Sequence, residues 1–364
     1  LSRPLTRFGA RARAAVLAAS LALALSACSQ TDDVSRKANK PLSPQMLSLI
    51  AQKKMEPSSP ILVRIFKKEA ELEVWKETTD GKYALLKTYP ICRWSGELGP
   101  KVRVGDRQAP EGFYTIAPGQ MNPNSSYYLS FNLGFPNAFD RAYGRTGEFL
   151  MVHGDCSSAG CYAMTDEQIS EIFSLARESF AGGQTAFQVQ AYPFHMTPKN
   201  LAENRKNPNM AFWRNLKEGY DQFEVTRQVP KVNVCERRYV FGAEPEPGRT
   251  FNAQEACPPY RVDEQVAQSV AAKARVDDAL VAELSQTAPV APVRTYRDGG
   301  MHPVFLAELK RKKTGGGEAG YSQAPGTVPD TTRPPGGLDD TGLTEAGAGA
   351  GAGTPTVTGT IAPR

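Results

Sequence analysis

Between Ile61 and Tyr192 the chain reads as a series of short strands broken by one strong helix, and this alternation limits the fold more than any other feature. ILVRIF at Ile61–Phe66, ELEVWKE at Glu71–Glu77 and YALLKTYPIC at 83–92 are rich in β-branched and aromatic residues, with Thr79-Asp80-Gly81 as the turn between the last two. Further strands are expected at Gly112–Ile116, 127–131, 148–153 and Phe187–Tyr192, separated by Gly, Pro and Asn. The helix opens at Thr165, whose spacing to Gln168 makes a capping box. Ile169, Ile172, Phe173, Ala176 and Phe180 share one face, and Gly182-Gly183 end it. The expected fold class is therefore mainly β with packed helices.

The flanks differ. A short helix is expected over 45–54. After Tyr192, PNMAFWRNLKEGY places Met210, Trp213, Leu216 and Tyr220 at helical spacing, a pattern that reads as core, and 261–284 is Ala-rich and helix-prone. From Thr314 to Arg364 there are 13 Gly and 6 Pro in 51 residues, too little apolar surface to offset chain entropy, so this tail is expected to be disordered. The basic run 310–313 before it reads as a solvated boundary. No stretch supplies the roughly 18 uninterrupted apolar residues of a membrane-spanning helix. The net charge of +5 includes Arg3, Arg7, Arg11 and Arg13; removing those four leaves +1, so the remainder has no general attraction to nucleic acid.

Those arginines precede an apolar run, 14–25, and then Leu25-Ser26-Ala27-Cys28. The pattern is that of a secretory signal over 1–27 with a cut just ahead of Cys28. It resembles a bacterial lipobox, which implies lipid on Cys28, a membrane anchor and a tether over 28–43. Ser29, rather than Asp, follows the cysteine, which points toward the outer membrane. Outside the cytoplasm thiols tend to oxidise. With Cys28 and Cys161 set aside, four cysteines allow three pairings, of which Cys235 with Cys257 and Cys92 with Cys156 are preferred.

The chemistry concentrates in LMVHGDCSSAGCYAMTD, 150–166. An apolar strand delivers His153, and a turn of small residues delivers Cys161 eight positions later. Imidazole is suited to take the proton of a thiol near neutral pH. Gly160 lets backbone approach an acyl group, the amides of Gly160 and Cys161 are candidate oxyanion donors, and a nearby helix N-terminus is expected to favour thiolate.

His153-Gly154 followed by Ser158-Ala159-Gly160-Cys161 is similar to the motif of the L,D-transpeptidase (YkuD-type) catalytic domain. GPKVRVGDRQAPEGFYTI, 99–116, looks like that family's Gly-Asp…Pro-Glu-Gly-x-Tyr segment. The short spacing, the Cys-Tyr-Ala-Met-Thr-Asp continuation and the preceding FPNAFDRAYGRTG resemble its YafK-like branch. One departure is Ala159, where the family often has a second histidine. The resemblance implies a β-sandwich or barrel-like catalytic domain over 44–195, followed by a helical and loop extension, 196–313, and the tail, 314–364. It implies Cys161 as nucleophile, His153 as base and the Gly154 carbonyl as its orienter. The implied substrates are peptidoglycan stem peptides containing diaminopimelate, with an amine or water as acceptor and a wall-linked envelope protein as a further partner. No metal or organic cofactor is implied. Arg141 and Arg145, whose guanidinium groups suit stem-peptide carboxylates, are candidate binding residues, with Ser158, Tyr114 and Asn132 behind them. His195 and His302 read as structural. The alternative is a non-catalytic, lipid-anchored wall-binding protein with a degenerate site.

Overall fold

Alternation in β1 (Ile61–Phe66) decides how the molecule is layered. Ile61, Val63 and Ile65 enter one apolar cluster, while Leu62, Arg64 and Phe66 face the other way and are buried too. A strand covered on both faces belongs in the middle of a sheet with layers on either side. The computed structural model, which describes residues 33–293 and 299–313, has that arrangement. Its first sheet runs β3 (Tyr83–Pro90), β2 (Glu71–Glu77), β1, β10 (Phe187–Tyr192), β5 (Gly112–Ile116), with only β1 and β10 parallel.

The second sheet is made of very short strands in the order β4 (Arg93–Trp94), β9 (Tyr162–Ala163), β8 (Met151–His153), β7 (Ser130–Asn132), β6 (Met121–Asn122). The expected strands over 127–131 and 148–153 begin later than their composition suggests. Phe149 has a φ of 55°, which breaks the extended run before Met151, and the carbonyls of Tyr127 and Leu129 instead accept the Gly154 N–H. Neither sheet closes into a barrel. They share one core with α4 (Asp166–Ala181) and α2 (Pro44–Gln52), a helical stretch over 33–38 (α1) preceding the latter. Val63, Phe131, Val152, Ile169 and Ile172 meet there. The Thr165 hydroxyl accepts from Gln168 N at 3.3 Å and the Gln168 side chain accepts from Thr165 N at 2.9 Å, so α4 starts at a reciprocal cap.

The chain after Tyr192 covers the back of the first sheet. α6 (Met210–Thr226) lays Trp213, Leu216 and Tyr220 against Phe66, Phe113 and Tyr192. Full burial of each such side chain contributes about 1.5–3 kcal/mol. Gly219 permits this approach: a Cβ there would lie 2.4 Å from the Phe241 ring and 2.7 Å from that of Phe113. Arg64 points into the same layer, ion-paired to Glu224 at 2.8 Å and lying 4.4 Å from the centre of the Tyr220 ring. Around it stand α3 (Ala138–Ala142), α5 (Pro198–Glu203), the hairpin of β11 (Val232–Cys235) and β12 (Arg238–Phe241), and α7 (Glu264–Thr287). A small ribbon of β13 (Glu244–Pro245) and β14 (Tyr260–Arg261) follows, with Cys235 bonded to Cys257. Near α8 (Pro303–Lys313), Gly300 accepts from Trp94 N at 3.0 Å. The expected signal, Cys28 and the tail over 314–364 lie outside the described residues.

Candidate active site

β8 and β9 pair in parallel, with Val152 opposite Tyr162 and His153 opposite Ala163. Side chains alternate along strands, so Val152 and Tyr162 enter the core, while His153 and Ala163 share the opposite face, and Cys161, the residue just before β9, brings its Sγ to Met151 N of β8. Parallel neighbours usually need a crossover of a dozen or more residues. Here the return is the short turn 154–161, held by many bonds. Cys156 is disulfide-bonded to Cys92, Cys156 N donates to Met164 O at 3.2 Å, and Asp155 N donates to Asp166 Oδ1 at 2.9 Å. Gly154 must be small, because a Cβ there would lie 2.5 Å from Asp166 Oδ1 and 2.9 Å from Tyr127 O. Gly160 has a φ of 132°, where a side chain is strained.

His153 is 3% exposed, with the Tyr127 ring centred 4.7 Å away. Its Nδ1 lies 2.5 Å from the Gly154 carbonyl, which can only accept. The proton therefore belongs on Nδ1, leaving Nε2 as the basic nitrogen. Burial pushes the His153 pKa down, and the Gly154 bond and Asp155 charge only partly offset this. The Cys161 Sγ accepts from Met151 N at 3.4 Å and lies 3.8 Å from Phe149 O. Burial pushes the Cys161 thiol up, against the Met151 bond and the charge of Lys101. Both shifts favour the uncharged forms, so at neutral pH the resting pair is thiol and imidazole. Cys161 is the one free cysteine among the described residues.

Comparison with known proteins adds to this geometry. No family model matches the chain. Over 182 residues, 50% of this chain and 74% of the relative, it is 48% identical to the "Putative L,D-transpeptidase YafK" of Escherichia coli K12, and the same figures hold for that of strain O157:H7. The chain belongs to the YafK-like L,D-transpeptidase family. Among solved structures, the helical cell shape determining protein Pgp2 of Campylobacter jejuni is similar at 21% identity and a TM-score of 0.29, covering 40% of this YafK-like chain and 54% of Pgp2. The chain thus spans about half the length of that structure. Bd1075 of Bdellovibrio bacteriovorus is similar at 15% identity and a TM-score of 0.28, covering 49% and 78%.

Several residues of this YafK-like chain are placed otherwise than the sequence suggests. Ser158 is engaged within the turn: its hydroxyl accepts from Cys161 N at 3.1 Å, Gly160 N at 3.4 Å and Ser95 Oγ at 2.6 Å, and donates to Cys161 O at 2.7 Å. It locks the turn, and the two amides expected to form an oxyanion hole are already directed at it. The helix expected to favour thiolate begins only at Asp166, with β9 between it and Cys161. Tyr114 is buried and reaches Glu111 O and Asp140 Oδ2 at 3.3 and 3.2 Å, so it cannot meet a substrate. Arg145 is ion-paired with buried Asp140 at 2.8 Å and lies on the Phe139 and Phe212 rings. Arg141 remains exposed, bonded to the Pro136 carbonyl. Asn132 accepts from Gly134 N at 2.8 Å.

His195 and His302 belong to a different cluster. His195 Nε2 lies 3.3 Å from Glu71, the ring stacks on Phe66 at 3.6 Å, and His302 approaches the other Glu71 oxygen at 4.0 Å. A cleft of about 500 Å³ between α6, β12 and α7 is lined by neither His153 nor Cys161. Sequence reasoning missed Lys101, and also the fully buried Lys67–Glu111 pair at 2.9 Å. Glu111 accepts from Gly99 N at 2.7 Å and Trp213 Nε1 at 2.8 Å, while Lys67 donates to Ala109 O at 3.1 Å. The only sequence signal for Glu111 is its place in Pro110-Glu111-Gly112.

Proposed function

We propose that this protein is a cysteine acyltransferase of peptidoglycan, acylated on Cys161 by a diaminopimelate-containing stem peptide. The observation that carries the reading is the placement of His153 on β8 and of Cys161 at the entry to its parallel neighbour β9, with the Cys161 Sγ on the Met151 N–H of β8, in a chain 48% identical to a relative named for this activity. His153 Nε2 takes the Cys161 proton as Sγ attacks the carbonyl carbon at the L-centre of diaminopimelate. The tetrahedral adduct expels D-alanine or another amine, which takes the proton back from the imidazolium, and a thioester remains. An incoming amine or water, deprotonated by the same nitrogen, attacks the thioester, and the thiol is regenerated. The Gly154 carbonyl keeps the ring in its working tautomer and stabilises the transient imidazolium.

The proposal places the enzyme on the periplasmic side of the envelope, anchored through lipid on Cys28, with stem peptides and a wall-linked envelope protein as partners. Fractionation tests the location: recovery solely with the inner membrane overturns the outer-membrane assignment. Intact mass of the mature protein tests the anchor, which fails if Cys28 carries no acyl mass. Mass spectrometry of muropeptides incubated with the protein tests the chemistry. A new diaminopimelate-linked product indicates transfer, and loss of a linked amine without replacement indicates hydrolysis. Identical profiles for wild type and Cys161→Ala, with no substrate mass on Cys161, would leave only a wall-binding protein.

A further inference from the structure

The loop from Lys101 to Gln108 folds over the segment that leads into β8. Thr146 N donates to Val102 O at 3.1 Å and Val104 N to Thr146 Oγ1 at 3.2 Å, clasping the two stretches together. Beneath this clasp the Lys101 side chain is 5% exposed, and its Nζ donates to Asp106 Oδ1 at 2.5 Å and Arg103 O at 3.0 Å. It runs directly over Gly147, where a Cβ would lie 2.6 Å from Lys101 Cε and 3.6 Å from Nζ. Gly147 is two residues before Phe149, whose carbonyl borders the Cys161 Sγ. The loop's other end passes the thiol turn too, with Arg107 and Gln108 backbone 3.9 and 3.8 Å from the Cβ position of Gly160. An ammonium group enclosed in this way is screened less by salt than one in open solvent.

We propose that Lys101 is a positioning residue of the thiol site, its buried ammonium supplying the positive field that holds the Cys161 thiolate once His153 has taken the proton. The inference rests on the reading of Cys161 as nucleophile. The proton that moves goes from Sγ to His153 Nε2. The titratable and charged groups of the segments packed against the thiol are His153 of β8, Lys101, Asp106 and Arg107 of the loop, and Glu148, exposed just ahead of Leu150. Asp106 is the ammonium's own counter-charge. Its carboxylate is turned into the loop, accepting from Val102 N at 2.8 Å, Arg103 N at 2.9 Å and Gln108 N at 3.0 Å. The Met151 N–H and, after it, the charge of Lys101 lower the thiol's proton affinity, against burial, which raises it.

The test is the pH dependence of Cys161 alkylation by iodoacetamide, followed on the peptide that contains it, and it needs no substrate. Lys101→Met keeps the stem and removes the charge, so the alkylation midpoint should rise by about one pH unit. Asp106→Asn leaves the ammonium and removes its counter-charge, so its midpoint should stay put or fall. Both variants disturb the loop, and a purely structural role would move both profiles the same way. A Lys101→Met profile that superimposes on wild type overturns the inference, as does a rise in Asp106→Asn; if Lys101→Met fails to fold, Asp106→Asn alone decides. Normal shifts with no muropeptide turnover would sink the proposed function while leaving this inference standing, and the reverse outcome would do the opposite.

Discussion

The two sheets have the same number of strands and opposite designs. The first has strands of five to eight residues, and β1 is buried on both faces beneath α4 and α6. The second has strands of two or three residues, held in place largely by turns, a disulfide and side-chain bonds, and it carries His153 and Cys161. Long paired strands gain order from apolar burial, whereas short ones need specific bonds at each end. Stability and chemistry are therefore separable in this molecule, and substitutions should divide accordingly.

The sharpest division should come from Cys161→Ala. Turnover of muropeptides should fall on the order of 10⁶-fold, to background, because no other group can form the thioester. Its melting temperature should match wild type within about 0.5 kcal/mol of stability, the usual range for a substitution away from the core. A large loss of stability would mean that the second sheet also depends on this side chain. Glu111→Ala should do the reverse. It removes the counter-charge of Lys67 and the acceptor of Gly99 N and the Trp213 indole, and breaking such a buried pair costs about 3–5 kcal/mol, readable by urea denaturation. Urea curves that overlay wild type would show that the pair does not bind α6 to the sheet.

The pH profile of turnover sharpens the contrast within the site itself. Burial holds His153 below the ordinary imidazole value of 6.5, and in the proposed mechanism the neutral ring is the base. The acid limb of kcat/KM should consequently lie below that value, with the base still available in mildly acid solution. An acid limb above it would require a carboxylate near the ring in the working enzyme. The smallest effects belong to the arginines. Arg145→Ala should lower stability by about 1–2 kcal/mol through Asp140, since a buried acceptor loses its charged partner. Arg141→Ala should change stability by less than about 0.5 kcal/mol, and a rise in KM alone would mark it as the substrate contact.

The first sheet was far more legible in the sequence than the second. Its strands advertise themselves by β-branched and aromatic runs, and the Thr165 cap and the aromatic face of α6 follow from local rules that the structure obeys. The second sheet is too short for periodicity to register, and its strand limits depend on Phe149 leaving the extended region. His153 and Cys161 stand out as candidates in the sequence because the motif around them is unusual in spacing and composition. Ser158, Tyr114 and Arg145 have partners within the protein that the sequence does not show, since residue type says what a side chain can bond, while only the fold says what has already bonded it. Lys101 was invisible for the converse reason, since one lysine in a basic loop carries no mark of being enclosed.

The wrapping of the first sheet by α6 has a consequence for inheritance. A gene fragment ending at residue 195 would encode every residue of the proposed chemistry, yet its product would present Phe66, Phe113 and Tyr192 to water with Trp213, Leu216 and Tyr220 missing. Such a face drives chains to aggregate. The motif of the proposed chemistry and the helices behind it thus form one unit of recombination: a crossover between them would pass on the motif without a vessel in which it could survive.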